Sequence, residues 1–112
     1  MPLLKRARIE VYLPDRRETV YRRLERAIED EFLFTFGGCT VIRDIKGLYL
    51  RSGSEREIDK ITLVYADMPF GLERNVRIIS KYADAIREAS AEALPEQSVL
   101  VVVHEVYHSL YG

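Results

Sequence analysis

The sequence predicts an α+β fold: a ferredoxin-like β-α-β-β-α-β plait, with an antiparallel sheet in the order 4-1-3-2 and two helices on one face. Three observations carry that expectation. Two segments repeat apolar residues at helical spacing, Val20-Leu24-Ala27-Ile28-Phe32 and Leu72-Val76-Ile79-Ala83-Ile86-Ser90. Runs rich in β-formers flank both of them. Between the helices, Ser52-Gly53-Ser54 reads as the turn of a hairpin.

The elements follow in order. The first strand, about 7–13, alternates Ala7, Ile9, Val11 and Leu13 with Arg8, Glu10 and Tyr12, the period of a half-buried strand, and Pro14 stops it. Asp15 stands three residues before Glu18 and predicts a variant capping box, opening a helix over about 16–33. Gly37-Gly38 ends that helix. The second strand runs from Cys39 to Ile45 and resumes at Leu48-Tyr49-Leu50; Gly47 marks a bulge or a close backbone approach. The third strand, about 58–66, places Ile61, Leu63 and Tyr65 toward the helices and Lys60, Thr62 and Val64 toward the open side. A loop over Asp67-Met68-Pro69-Phe70-Gly71 leads into the second helix, which Pro95 ends, and Val99 to about Tyr107 makes the last strand.

The 112 residues, 47% hydrophobic and 31% charged, suit one compact domain over 1–112 and exclude general disorder. Lys and Arg number 17 against 18 Asp and Glu, so bulk charge gives no support for a nucleic-acid partner. That neutrality is an average. The first 26 residues carry eight basic and four acidic side chains, whereas residues 84–105 carry one and five. The longest apolar run, Val99 to Val103, is far too short for a membrane span. The opening Met-Pro-Leu-Leu-Lys-Arg lacks a signal-peptide stretch, so a cytoplasmic location is expected. The single cysteine, Cys39, excludes an internal disulfide and a cysteine-clustered metal site.

Two helices cover only one sheet face. The last strand is apolar on both of its faces and forms an edge, an arrangement soluble proteins normally cover. A homo-oligomer, most simply a dimer, is therefore expected to bury the open face or pair that edge. The alternative is that the tail Ser109-Leu110-Tyr111-Gly112 folds back over it.

Few residues suggest chemistry. His104 and His108 share a strand face but stand roughly 13 Å apart, too far for one metal, so no metal site is expected. One of them could act as a general base, or both could be a solvated strand end. Cys39, beside two glycines, fits a small buried residue better than a nucleophile. The glycines match no phosphate loop, and nothing calls for a cofactor. Glu55, Glu57 and Asp59 could converge with Arg51 or Arg43, or simply keep an edge charged. Arg16, Arg17, Arg22 and Arg23 could steer a phosphate-bearing partner, or form a solvated face with pairs such as Glu18–Arg22. RNA recognition would need aromatics on the central strands; Tyr12 qualifies, whereas the predicted alternation turns Tyr65 to the helix side.

From Gly37 to Val99 the chain carries Gly37-Gly38-x-Thr40, then Gly47-x-Tyr49, Gly53, Glu57, and Gln97-x-Val99. In this it resembles a group of small, uncharacterised bacterial proteins with a Gly-Gly-x-Thr, Gly-x-Trp, Glu and Gln-x-Val pattern, Tyr49 replacing their usual tryptophan. The resemblance implies a ferredoxin-like fold and no particular activity. Thr40, Tyr49 and Glu57 all fall on the hairpin and could line one polar ligand site, with His104 as a further candidate. The leading expectation is thus a self-associating binding or assembly protein, with a small-molecule ligand possible. The alternatives are an enzyme using Tyr49, Glu57 or His104 for acid–base work, and a nucleic-acid module using the first helix.

Overall fold

The structure, a computed structural model, describes residues 3–51 and 53–109. Six elements follow the expected order: β1 (Leu3–Pro14), α1 (Thr19–Phe36), β2 (Thr40–Leu50), β3 (Arg56–Asp67), α2 (Val76–Ala93) and β4 (Leu100–Ser109). The strands form one antiparallel sheet in the order β2-β3-β1-β4, which is 4-1-3-2 read from the other edge. No helix among the described residues is long and apolar enough to cross a membrane. The tail beyond Ser109 and the turn residue Ser52 lie outside the described residues.

The alternation of β1 organises the core. Ala7, Ile9, Val11 and Leu13 are buried, as expected, and meet Leu24, Ile28 and Phe32 of α1 together with Ile79 and Ile86 of α2. Both helices share this single core and so lie on one face. Gly37, at φ 80°, closes α1 by donating its N–H to the Leu33 carbonyl at 3.0 Å, a left-handed cap that glycine adopts without strain.

The opening of α1 differs from expectation. Asp15 does not cap it; Glu18 precedes the first turn without a side-chain cap bond. The Asp15 carboxylate instead accepts from Arg22 at 3.1 Å and from the backbone N–H of Asp44 at 3.2 Å. Arg22 therefore pairs with Asp15 and Glu25 rather than Glu18.

The sidedness of β3 is the main correction. Thr62, Val64 and Ala66 are buried under the helices, and Ile61, Leu63 and Tyr65 face the open side. Residues 61–66 are apolar or small at nearly every position, so their own alternation is ambiguous. The β1–β3 register decides: Val64 pairs with buried Val11 and Tyr65 with Glu10.

In β2 the irregularity lies between Ile42 and Ile45, not at Gly47, which pairs regularly with Asp59. Asp44 sits there at φ 60°, a left-handed conformation costly for a non-glycine residue. Charges hold the bulge in place. Arg43 grips the Glu25 carboxylate with both terminal guanidinium nitrogens, Nη1 at 2.8 Å, and Arg22 bridges Glu25 to Asp15. Glu25 is a buried anion, tolerable because two guanidinium groups meet it. Gly47 does provide the close approach: a Cβ there would lie 2.7 Å from Ile61 Cδ1 and 3.1 Å from the Tyr49 ring.

Beyond the bulge the β2–β3 hairpin projects as an arm, and the molecule measures 47 × 29 × 26 Å. Leu48, Tyr49, Leu50 and Ile58 on this arm are exposed.

Phe32 is fully buried at the centre of the core and stacks at a tilt on Phe36, ring centroids 5.9 Å apart. Phe32→Ala should lower stability by about 3–5 kcal/mol, read as a shifted urea midpoint with an unchanged slope.

Candidate functional site

The open sheet face has two zones. Toward the arm it is apolar: Ile42, Leu63, Tyr12 and Leu100 align across the four strands, with Ile45 and Ile61 beside them and Val102 one row further. Toward the other end it is charged. Arg8 bonds both oxygens of Asp67, at 2.6 and 3.0 Å, and its guanidinium lies 4.3 Å from the Tyr65 ring centre. His108 Nε2 is 2.8 Å from Asp67, and Tyr12 donates its hydroxyl to Glu10 at 3.0 Å. His104 Nε2 stands 3.1 Å from Glu10, an ion-pair contact when the ring is protonated.

These contacts set the proton affinities. The Arg8 guanidinium holds the Asp67 carboxyl below its usual range despite opposing burial, and His108 adds to the effect. Burial, then the bond to Glu10, raises the Tyr12 phenol. Burial, then Glu29, raises the Cys39 thiol and works against a nucleophilic thiolate.

At the root of the arm lies a cleft of about 510 Å³, between the β1–α1 turn, the hairpin and the loop before β4. Arg16, Arg17 and Lys60 supply cations and Asp15, Glu18 and Asp59 carboxylates, that of Asp15 being paired with Arg22; Tyr12 and Tyr49 supply rings, and Gln97 and Ser98 supply amide and hydroxyl groups. The size suits a small organic ligand.

The structure disperses the residues that sequence reasoning grouped. Tyr49 and Glu57 are cross-strand partners, but Glu57 is bound to Arg51 at 3.0 Å. Thr40 pairs with Tyr65 at the far end of β2, roughly 30 Å along the strand from Tyr49. His104 is on β4, two strands from the hairpin. Arg16 and Arg17 reach the arm-root cleft, whereas Arg22 is engaged with Asp15 and Glu25, and Arg23 lies on an open helix surface with Arg26. Arg43 serves Glu25, so it does not join Glu55, Glu57 and Asp59. Both tyrosines of the central strands face outward, yet Arg8 covers Tyr65 and Glu10 engages Tyr12. Among the described residues no group of three His, Cys, Asp or Glu could hold a metal ion. Sequence reasoning missed Arg8, Glu10 and Asp67 as a group, because only the register of β1 with β3 and β4 assembles them.

No family model matches the chain, and no curated protein matches it. Solved structures do resemble it. CutA1 from Oryza sativa superposes with a TM-score of 0.59 at 14% identity, covering 97% of this chain and 86% of that one. CPII from Thiomonas intermedia K12, bound to ADP, AMP and acetate, gives 0.52 at 14% identity, covering 97% and 93%. The same protein, described as a nitrogen regulatory PII-like protein and bound to ADP, AMP and bicarbonate, gives 0.51 at 14%, covering 97% and 100%. At such identities the likeness is one of fold, and it places the chain in the ferredoxin-like α+β class.

Because the folded pKa of Asp67 lies below its unfolded value, its pairing stabilises the protein above the unfolded pKa. That contribution is lost as pH falls through the folded pKa. Asp67→Asn should therefore cost about 1 kcal/mol at neutral pH, the partly exposed pair being screened, and cost nothing in strong acid. Urea midpoints of both proteins across the acid range check this.

Proposed function

We propose that this chain is a self-associating binding protein: a second copy covers the open sheet face, and the arm-root cleft holds a small anionic ligand. The observation that carries the reading is the apolar zone of the open face, which no helix covers. There Ile42 and Leu100 remain 43% and 59% exposed. Exposed apolar side chains on the arm extend that surface past the core. A contiguous apolar patch of this kind is the signature of an interface. A second copy is the natural occupant, because the basic segment 1–26 and the acidic segment 84–105 can meet across two copies. A dimer is the simplest closed form.

The ligand reading draws on the cleft and on the neighbours. Arg16 and Arg17 suit phosphate or carboxylate oxygens, beside the carboxylates of Glu18 and Asp59 and with Lys60 already near Asp44, and Tyr12 and Tyr49 offer flat apolar surfaces. The structures of CPII carry ADP and AMP, which makes ADP the first ligand to try.

Light scattering at micromolar concentration should return at least about twice the 13.0 kDa chain mass. The double variant Ile61→Lys/Leu100→Lys should return the monomer with unchanged circular dichroism. A monomeric wild type overturns the assembly. Calorimetric titration with ADP should show binding that Arg17→Ala weakens about tenfold. No heat at millimolar ADP, or an unchanged variant, overturns the ligand reading independently of the mass.

A further inference from the structure

At the end of the molecule opposite the arm, a groove of about 210 Å³ runs between the last turn of α1 and the first turns of α2. Phe36, Met68, Phe70, Ile78 and Tyr82 line it. Its polar atoms are turned away. Tyr82 donates its hydroxyl to Glu31 at 2.8 Å, and Thr35 donates to the same carboxylate. Burial and the bond to Glu31 push the Tyr82 phenol well above its ordinary range, so it stays a neutral donor. What remains facing the groove is apolar.

A second cavity, about 290 Å³, adjoins it across the same turn, sharing Thr35, Phe36, Met68 and Pro69 as walls. Its other walls are Arg6, Asp67 and His108. The charge of Asp67 is met by Arg8 through two hydrogen bonds, with His108 on the same carboxylate. Half-buried Arg6 has no ion-pair partner among the described residues. The second cavity therefore has a positive charge awaiting an anion, next to a groove awaiting an apolar group. The turn between them is fixed in advance. Met68 donates its N–H to the Ala7 carbonyl at 2.8 Å, and the Phe70 carbonyl accepts from Ala7 at 2.9 Å. Walls held this way need no ordering when a ligand enters.

We propose that this paired site binds a small amphipathic carboxylate, a short acyl or aryl acid, with its apolar part in the helix groove and its carboxylate on Arg6. A monoanion matches the single uncompensated charge, and a guanidinium offers a carboxylate two parallel hydrogen bonds. The site is separate from the arm-root cleft and does not depend on the ligand proposed for it.

The test uses the full chain with hexanoate, hexanol and acetate as probes, followed by amide chemical shifts. Hexanoate should give saturable shifts centred on Phe36, Met68 and Phe70. Hexanol and acetate, each lacking one half of the ligand, should bind at least about tenfold more weakly. Arg6→Gln should erase the preference for hexanoate over hexanol while leaving the weak hexanol binding. Exposed Ile78→Asp should abolish the binding of both without disturbing the fold. The proposal is overturned if millimolar hexanoate gives no saturable shift, if hexanol matches it, if Arg6→Gln keeps the preference, or if the shifts centre on the arm-root cleft.

Discussion

In β1 the side chains of Ala7, Ile9, Val11 and Leu13 fill the space under both helices, and Arg8, Glu10 and Tyr12 are forced by the same pleat to the other face. Because β1 is a central strand, with β3 on one side and β4 on the other, its pleat fixes the faces of both neighbours. Val64 must be buried because it pairs with Val11, and Tyr65 must be outside because it pairs with Glu10. On β4, Val101 and Val103 pack on the core while Val102 and His104 face outward. A slip of one residue in either pairing would bury Asp67 or His104 and expose Val64 or Val103.

That constraint also divides the labour on the open face. Its charged end is paired within the chain except at Arg6: Arg8 with Asp67, His104 beside Glu10, His108 on Asp67. Its apolar end has no such partners, and the arm carries more of the same character outward. Removing water from an exposed apolar zone of this kind is favourable, whereas the polar zone is already largely paired within the chain. The arm is held at its angle by a different set of charges, Glu25 between Arg22 and Arg43 and Asp15 on the Asp44 amide, which fasten the β2 bulge to α1. Both candidate ligand sites lie where these frames end, one at the root of the arm and the other at the turn after β3.

The legible and illegible parts of the sequence separate along physical lines. Helices and the hairpin were readable because their signals are local: apolar spacing over Val20–Phe32 and Leu72–Ser90, the second helix starting one turn later at Val76, and glycine at 37 and 53. Asp15 was misread because a carboxylate before a helix has a usual local role, and nothing local announces that Asp44 and Arg22 compete for it. For a similar reason Gly47 fills one of the two roles expected of it, the close approach and not the bulge. Gly47 looks like the break, but the ladder is interrupted where Arg43 finds Glu25, eighteen residues earlier in the chain.

By itself, then, the sequence determined the order of elements, the plait, the buried face of β1, and the presence of an apolar edge strand in an otherwise balanced chain. These depend on periodicities of two and 3.6 residues and on chain entropy at glycine and proline, all properties of short segments. Tertiary structure alone decided which way β3 faces, where β2 bulges, and which ionisable groups meet. Arg8 and Asp67 are 59 positions apart, and Arg6 and Ile78 come to line adjoining cavities from a strand and a helix. Such meetings are set by register and by helix docking, long-range terms that no local pattern encodes.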